Sequence, residues 1–503
     1  DPIILKKIGE RYIALQEWDS ACEWIEKHYP YSETDDEKVE NRCLLGEIYI
    51  GRGNFDKALE IYRQALEANS TWVPAVQGLA SIYEKQGLWN EVVRCYRDFL
   101  QNLPPDKKIL GLPIYLALGN VFHEKLHDDN FAIKEYTEVL KLDPNHMAAR
   151  IALATIRANH PKLRRDAIKD HLLLLQQEPL RSSSYRKIYE LFQQENLHDS
   201  ALCALRMLAL QEKLLGSEQE FLEKNPPKCI SRKVDFFEFN GTEEQKQLHT
   251  IMSLTADSMT KVYYADLEEK YGLRRKDRLT SDSNPVLWKI IEELRQILSI
   301  SSIDVYVTPR KSHRILIENT QPISIILSQF LVEALSKSEL YFLFARSLFY
   351  VCNNQFLVYK LSEKELLQYF RLLQNSFLDN PYPMTPDEEV LWKKIRNALP
   401  RKVRKILQEQ PEIWQAISEK NIVSYVQTLE FATNHFALLA VDSLELTLQM
   451  IYKLHILQQT GKLIRMDKIH WPEVIKLDSI VDILQYNVSL EYTNMRKKLG
   501  IGI

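Results

Sequence analysis

A pattern that recurs every 34 residues along the first two-fifths of the chain constrains its fold more than any other feature. Each copy has a Leu followed by a small residue, then a Tyr, a turn Gly, and a compact residue that precedes another Tyr by one helical turn. In residues 39–72 and 73–106 these positions hold Leu45, Gly46, Tyr49, Gly53, Ala58 and Tyr62, and then Leu79, Ala80, Tyr83, Gly87, Val92 and Tyr96. Small residues let two helices approach closely, and the tyrosines fill the gaps between units. The pattern therefore predicts helical hairpins, which must stack because one hairpin cannot bury its own apolar face.

This sequence pattern resembles the tetratricopeptide repeat (TPR), a unit of two antiparallel helices. About six copies can be traced over residues 1–212. The fourth copy has an extra residue in its turn, and the first and sixth copies match the pattern least well, as capping units do. The resemblance implies a continuous right-handed α-solenoid over residues 1–212. Its concave face, lined by the first helix of each unit, would bind a protein or peptide partner.

The candidate partner-binding residues are the polar side chains that we place on this concave face. They are Glu47, Gln77, Ser81, Glu84, Asn120, His123, Arg186 and Glu190. TPR proteins that grip the C-terminal carboxylate of chaperones use a Lys/Asn/Arg clamp, but residues such as Cys43 and Ala152 occupy those positions here. That ligand class is therefore not expected, and plain solvent exposure is the alternative interpretation of these polar residues.

The overall composition is typical of a soluble globular protein with more than one domain. The chain has 503 residues, of which 45% are hydrophobic and 26% are charged. Its net charge of −3 creates no field that would attract nucleic acid. No apolar run is long enough for a membrane span. Phosphate-binding and dinucleotide-binding glycine motifs are also missing, so we predict no cofactor.

The cysteines indicate a reducing compartment. There are six, scattered along the chain without any C-x-x-C pair, as expected of buried thiols in a cytoplasmic protein. The chain begins at Asp1 rather than Met, so we expect a trimmed N-terminus that an export signal or further repeats could precede. The oligomeric state cannot be read from these features.

The repeat pattern ends near residue 212 and the chain changes character. Residues 213–245 contain Pro226-Pro227 and a Phe-rich stretch at 236–241, which together indicate a linker or docking segment. Residues 246–503 have helical spacing of apolar residues, interrupted near residues 303–327 by short runs with a period of two. We predict a helical domain with one small β-sheet, whose strands are 303–307, 315–317 and 323–327.

The order of elements in this second domain resembles the core of HtpX-like zinc metallopeptidases. In that family a strand pair precedes a helix with the motif A-H-E-x-x-H, whose two His bind zinc and whose Glu is the general base. Aligned on Ala345, the three chemical positions hold Arg346, Ser347 and Tyr350. The third ligand position, in an E-x-x-x-D pattern, falls on Asn434 in the segment that begins at Glu430. The resemblance thus implies a degenerate, zinc-free domain, and the combination also resembles large bacterial proteins that join TPR repeats to such a domain.

The same resemblance predicts what fills the vacated metal site. If the fold is kept, Arg346 faces Glu430, and a guanidinium can pair with a carboxylate in place of the metal. We therefore predict an Arg346–Glu430 contact in the core of the second domain, with Tyr350 nearby. Replacement of the arginine would then cost ~3–5 kcal/mol, the usual loss on breaking a buried ion pair. The alternative is that the Arg346 side chain extends to solvent and Glu430 lies on a surface helix.

Two other sequence features call for an interpretation. A literal H-E-x-x-H occurs at residues 123–127, but it falls in the turn of the fourth repeat rather than inside a long buried helix, so we interpret it as a surface turn. The basic clusters at 274–278 and 401–405 lack flanking aromatics that stack on bases. We interpret them as solvated helix faces, with a phosphate or acidic-partner patch as the alternative.

These observations predict a mostly α-helical, non-enzymatic scaffold with no metal site. Its TPR solenoid would recruit a protein or peptide, and the pseudo-peptidase domain would provide a second interaction surface. The alternative is an active zinc metallopeptidase or another hydrolase whose ligands the motifs do not reveal.

Overall fold

A computed structural model of the chain describes residues 2–233, 239–310, 312, 315–378 and 382–503. The chain forms two compact units, Asp1–Gln177 and Glu178–Ile503. Both are mostly helical, as predicted. The residues Phe236, Phe237 and Glu238 of the predicted linker lie outside the described residues.

The first unit consists of helices joined by short turns. They are α1 Pro2–Ala14, α2 Trp18–His28, α3 Asp35–Gly51, α4 Phe55–Ala68, α5 Val73–Lys85, α6 Trp89–Asn102, α7 Leu112–Asn120, α8 Asp129–Leu142, α9 Met147–Asn159 and α10 Arg164–Gln177. Capping residues explain several of the starts. Thr34 accepts a hydrogen bond from the Glu37 N–H at 3.2 Å, and the Glu37 carboxylate accepts one from the Thr34 N–H. This reciprocal arrangement satisfies backbone donors that would otherwise be unpaired at the start of α3.

Successive hairpins stack in the order of the chain. The hairpin α3–α4 packs against α5–α6, which in turn packs against α7–α8. The repeats around Gly46, Ala80 and Gly119 are therefore nearest neighbours, as the 34-residue spacing predicted. The small residues of the pattern lie in the core between the helices, and Ala58, Ala65 and Ala80 are completely buried.

Tyr62 shows why the repeat keeps small residues at fixed positions. A Cβ atom added to Gly78 would lie 2.2 Å from the Tyr62 ring, and one added to the Cα of Gly46 would lie 2.6 Å from it. Gly46 is on α3 and Gly78 is on α5, so the ring is held between the first helix of its own repeat and the first helix of the next one. The aromatic position of the pattern thus sets the spacing between adjacent units.

The extra residue of the fourth repeat is absorbed by a change of helix type. After α7 the chain continues as a π-helical turn, Val121–Lys125, which accommodates one more residue per turn than an α-helix. His127 follows with a positive φ of 54° and ends the helical path. The second helix of this repeat, α8, can then return in the same register as in the other units.

The second unit begins with another helical hairpin and contains the sheet. Its helices are α11 Ser182–Gln194, α12 His198–Gln211, α13 Gly216–Lys224, α14 Glu243–Met259, α15 Leu267–Tyr271, α16 Pro285–Ile297, α17 Gln329–Ala334, α18 Lys337–Cys352, α19 Phe356–Lys360, α20 Glu363–Asn375, α21 Pro386–Ala398, α22 Arg401–Gln408, α23 Glu419–Val441, α24 Leu444–Thr460, α25 Trp471–Val474, α26 Asp478–Asn487 and α27 Leu490–Lys498. The hairpin α11–α12 carries the sixth predicted repeat. This hairpin belongs to the second compact unit, whereas the other predicted repeats belong to the first. The predicted end of the repeat region at residue 212 therefore stays a prediction.

The sheet lies where the period-two runs predicted it. Strands β1 Asp304–Thr308, β2 Leu316–Glu318 and β3 Ser324–Ser328 each begin within one residue of the predicted strand. The order is β1-β3-β2, with β1 parallel and β2 antiparallel to the central β3. All five residues of β3 are buried, which explains the apolar run of residues 325–327 at its centre.

A buried charge cluster ties α12 to the end of the chain. Arg496, on α27, is fully buried and contacts both Asp199, on α12, and Asp442, at the end of α23. Asp442 also accepts a hydrogen bond from Arg206 of α12 at 2.6 Å. Two arginines therefore face two aspartates, so the charges are balanced where water is excluded.

Across the described ranges, none of the helices is long and apolar enough to cross a membrane.

Candidate functional site

The predicted partner-binding residues fall in both units. Those of the first unit lie on the first helices of consecutive hairpins: Glu47 on α3, Gln77, Ser81 and Glu84 on α5, Asn120 on α7 and His123 in the π-helical turn. Arg186 and Glu190 lie on α11 in the second unit. The residues of the first unit therefore form the more compact candidate surface.

Three of these side chains remain available for a ligand. Glu47 and Gln77 are exposed and Glu84 is half-buried. None of the three side chains has a hydrogen bond or ion pair to another residue in the part of the chain that the structure describes. They lie on α3 and α5, which contact each other. An acidic and amide-bearing surface thus spans two adjoining repeats.

The other candidates of the first unit already have partners. Ser81 donates to the carbonyl of Gly78 at 2.8 Å, and Asn120 accepts from the Tyr136 hydroxyl at 2.7 Å. These hydrogen bonds stabilise the hairpins themselves. A ligand would have to displace them, so we give both residues a structural role.

Arg186 is also engaged, by residues outside the repeat pattern. Its guanidinium lies 2.6 Å from Glu212 and contacts Glu218, which is 4% exposed, at the start of α13. The repeat pattern does not predict this pairing, because Glu212 is the last residue of the predicted repeat region and Glu218 lies in the predicted linker. Glu190, the other candidate on α11, accepts from Lys187 at 3.1 Å.

Arg346 and Glu430 meet as the resemblance to HtpX-like proteins predicted. Helix α18 packs along α23, and Nη2 of Arg346 lies 3.2 Å from Oε1 of Glu430. The predicted burial of the pair is wrong for Glu430, whose side chain is 47% exposed, against 18% for Arg346. The contact lies at the edge of the helix interface, so solvent screens it and its expected contribution falls below that of a buried pair.

Tyr350 lies one helical turn beyond Arg346 and is 7% exposed. Burial raises the pKa of the Tyr350 hydroxyl, the Arg346 charge opposes this rise, and the Glu430 charge adds to it. The phenol is therefore neutral and lies close enough to feel both charges. This agrees with the prediction that it accompanies the pair.

The remaining positions of the resembled metal site hold polar groups that are turned inward. Ser347 donates to the carbonyl of Leu343, one turn earlier in α18, at 3.0 Å. Asn434 is completely buried, and neither atom of its amide group has a hydrogen-bond partner among the described residues. Where the family has an acidic ligand, this chain therefore has a buried neutral amide.

The literal H-E-x-x-H segment does not have the geometry of a metal site. His123 contacts Asp129 at 2.8 Å and His160 contacts the other oxygen of Asp129 at 2.9 Å, whereas His127 is exposed in the turn. Partial burial raises the pKa of Asp129, but the hydrogen bonds from the two histidines outweigh it and lower that pKa overall. Within the described ranges, no three His, Cys, Asp or Glu side chains are grouped so that they could hold a metal ion.

An open groove of about 1290 Å³ lies elsewhere in the second unit, between α20, residues 382–388, the end of α22 and the short helix Pro411–Ala416. Phe377 and Trp414 stack on its floor with their ring centroids 5.2 Å apart. No motif predicts this groove, because its walls come from four separated segments of the chain.

The hairpin stack, the wedge of Tyr62 and the repeat spacing define the first unit as a helical-repeat protein. The tetratricopeptide-repeat family models match residues 39–71 and residues 75–109. The N-terminal region therefore contains tetratricopeptide repeats, as the spacing of its residues predicted.

Two curated proteins are similar to part of the chain. An Arabidopsis thaliana "Protein CTR9 homolog" is 30% identical over 109 residues, and human "Tetratricopeptide repeat protein 21A" is 29% identical over 126 residues. These segments cover 22% and 24% of this chain but 9% of each relative. Among solved structures, a tetratricopeptide repeat protein from Parabacteroides merdae is 14% identical with a TM-score of 0.29, over 44% of this chain and 83% of that one.

Proposed function

We propose that this protein is a non-enzymatic scaffold whose tetratricopeptide repeats recruit a protein or peptide partner. The observation that carries the proposal is the surface formed by Glu47, Gln77 and Glu84 on adjoining first helices, where the polar side chains are accessible and have no internal partner. Side chains that stabilise the hairpins do not compete for a ligand there. A repeat stack holds such a surface rigidly, which lowers the entropy lost on binding.

We further propose that the second unit is a pseudo-peptidase-like domain that provides a second interaction surface. The support is the Arg346–Glu430 contact, which was predicted from the resembled metal site and joins the helices that would carry the ligands. The buried amide of Asn434 also favours a site that no longer binds a cation, since a neutral amide attracts a metal ion less strongly than a carboxylate.

A cytoplasmic location belongs to the same proposal. All six cysteines are free thiols, and two of them, Cys22 and Cys203, are buried. Free thiols at such positions are expected where the environment is reducing.

The recruitment surface can be tested by comparing two charge-reversal variants of the full chain. Glu47→Lys with Glu84→Lys changes the proposed surface, and Glu67→Lys with Glu91→Lys makes the same charge change on the second helices α4 and α6, where both residues are exposed. Partners captured from the native host should be lost by the first variant and retained by the second. Equal capture by the two variants would show that this surface is not the recruitment site.

A further inference from the structure

One segment of the second unit is strongly positively charged. Residues 390–408 include seven Lys or Arg and no Asp or Glu, in a chain whose net charge is −3. Residues 390–408 comprise most of α21, the corner at Leu399-Pro400 and all of α22. We call this segment the basic corner. Its apolar residues Ile395, Leu399 and Leu407 are buried, so the cations are left on the outside.

Five of the seven cations of the basic corner have no carboxylate partner among the described residues, and three of these five have no other polar contact either. Lys394, Arg401 and Lys402 are exposed and form no ion pair with any residue in the described ranges. The others have contacts within the unit: Lys393 with Glu389 at 2.7 Å, Lys405 with Glu409 at 3.7 Å, Arg404 with the carbonyl of Arg396 at 2.5 Å, and Arg396 with the ring of Trp392. Like charges held together without counter-charges repel one another, and an anionic partner removes that cost.

The basic corner adjoins the groove described above. Leu407 and Gln408, from the last turn of α22, form part of the groove wall. The stacked rings of Phe377 and Trp414 make its floor apolar, and the exposed Tyr382 stands at its mouth. The groove and the basic corner are therefore continuous through the last turn of α22, and the cations of the basic corner lie outside the groove lining.

The groove has two cations of its own. Lys364 and Arg371 lie two turns apart on α20, both exposed and without an ion pair to a described residue. Three carboxylates also line the groove, but two of them cap helices: Glu365 accepts from the N–H of Ser362 at 2.7 Å, and Glu388 accepts from that of Thr385 at 2.9 Å. Glu419 is the third. Hydrogen bonding does not cancel the charge of these carboxylates, so the excess positive charge of this surface comes from the basic corner rather than from the groove lining.

We propose that the groove and the basic corner form one docking surface for an acidic polypeptide segment that carries bulky apolar side chains. The apolar side chains would occupy the aromatic floor, and the carboxylates would pair with Lys364, Arg371 and the free cations of α22. Because Trp414 is 9% exposed, most of the aromatic contact would come from Phe377 and the exposed Tyr382. This inference rests on the proposed scaffold function and assigns a partner class to its second interaction surface.

The test uses the full chain and a short fluorescein-labelled peptide in which Asp and Glu alternate with Leu and Trp. Fluorescence anisotropy should show binding that weakens as salt rises, because the rim charges are exposed. The variant Lys394→Glu/Arg401→Glu/Lys402→Glu should bind at least ~10-fold more weakly, since three attractions become repulsions. Tyr382→Ala should also weaken binding. Because the Tyr382 side chain is exposed, this substitution should not unfold the protein. The matched control, Lys261→Glu/Lys276→Glu/Lys337→Glu, makes the same charge change at exposed sites elsewhere in the unit and should bind as the parent does.

Two outcomes would overturn the proposal. The first is that charge makes no difference: a peptide in which Asn and Gln replace the acidic residues binds equally well, or the Lys394→Glu/Arg401→Glu/Lys402→Glu variant binds the acidic peptide as the parent does.

The second is that duplex DNA or phosphatidylserine vesicles bind more tightly than the peptide, and that this binding is lost in the same triple variant. That result would assign the surface to phosphates. Capture of the partner of the repeats by the triple variant separates the two proposals. If the triple variant still captures that partner but the acidic peptide does not bind the parent protein, the docking surface is wrong and the proposed scaffold function stands.

Discussion

The guanidinium of Arg496 lies with its Nε 3.1 Å from both carboxylate oxygens of Asp199, a residue 297 positions earlier in the chain. Asp199 is on the hairpin that carries the last predicted repeat, and Arg496 is on the final helix. Both side chains are buried. The backbone N–H of Lys228 adds a further hydrogen bond, at 2.8 Å, to Asp442 in the same cluster. The hairpin α11–α12 and the C-terminal helix therefore depend on each other.

The first prediction concerns this cluster. Arg496→Met should reduce the free energy of unfolding by ~3–5 kcal/mol, because it leaves Asp199 and Asp442 facing each other without water or a full counter-charge. Urea denaturation would measure the loss. Lys498→Met, an exposed substitution on the same helix, serves as the control and should change stability by less than ~0.5 kcal/mol. Similar stabilities for the two variants would contradict the role given to the cluster.

The second prediction concerns Arg346 and Glu430. Because Glu430 is half-exposed, we expect a coupling of ~0.2–1 kcal/mol rather than the larger loss of a buried pair. A double-mutant cycle with Arg346→Met and Glu430→Gln would measure it, and the coupling should shrink at high salt. A coupling that is large and independent of salt would mean that the pair is shielded from solvent.

The third prediction tests the wedge of Tyr62. Gly78→Ala places a methyl group against the Tyr62 ring in a packed interface, so we expect a loss of ~1–3 kcal/mol, as for other overpacked sites. Gly216→Ala is the matched control, since an added Cβ atom there would have no neighbour within 4 Å. Thermal unfolding of both variants would check the difference. If Gly78→Ala is as stable as the control, the ring does not set the spacing of the repeats.

The fourth prediction concerns pH. Burial lowers the pKa of His249 to about 4, from 6.5 for the free side chain, and its ring stacks on Phe239. The unfolded chain therefore binds a proton more readily than the folded one. Stability should be unaffected by this group above pH 6.5 and should fall progressively as the pH drops from 6.5 towards 4. His249→Phe keeps an aromatic ring in the stack and should flatten that part of the pH–stability curve. An unchanged curve would mean that His249 does not contribute to it.

The fifth prediction concerns metal. We expect purification without added metal to yield protein with less than stoichiometric zinc, and no chelator-sensitive cleavage of casein. The reason is that Arg346, Ser347 and Tyr350 stand where the proposed resemblance to HtpX-like proteins would require two ligands and a base. Elemental analysis and a protease assay would measure both. Zinc at one equivalent together with chelator-sensitive cleavage would favour the hydrolase alternative instead.

The repeats and the sheet could be predicted from the sequence because each depends on short, periodic spacing of residues. Tyr62 lies against Gly78 because the second helix of one repeat packs on the first helix of the next. The apolar centre of β3, residues 325–327, is buried. The Arg346–Glu430 contact was predicted from the resemblance to HtpX-like proteins, not from the spacing of residues. Its exposure did not follow, because a small rotation of α23 decides whether Glu430 faces solvent.

The rest depends on contacts between distant segments. Nothing near Asp199 distinguishes it from a surface aspartate, and its partner on α27 has no local signature either. Arg186 was expected to face a ligand, but its partners Glu212 and Glu218 come from a region that the pattern treated as the end of the repeats. The candidate groove has the same origin, since Phe377, which follows α20, meets Trp414 of the short helix Pro411–Ala416 there.

The balance of two arginines and two aspartates in the buried cluster also restricts how the gene can change. A recombination breakpoint between the codons for Asp199 and Asp442 would combine charges from two parents, and a descendant that inherits one partner without the other loses a large part of its stability. The last repeat hairpin and the C-terminal helix should therefore be inherited together, whereas the hairpins of the first unit can be duplicated or lost one at a time.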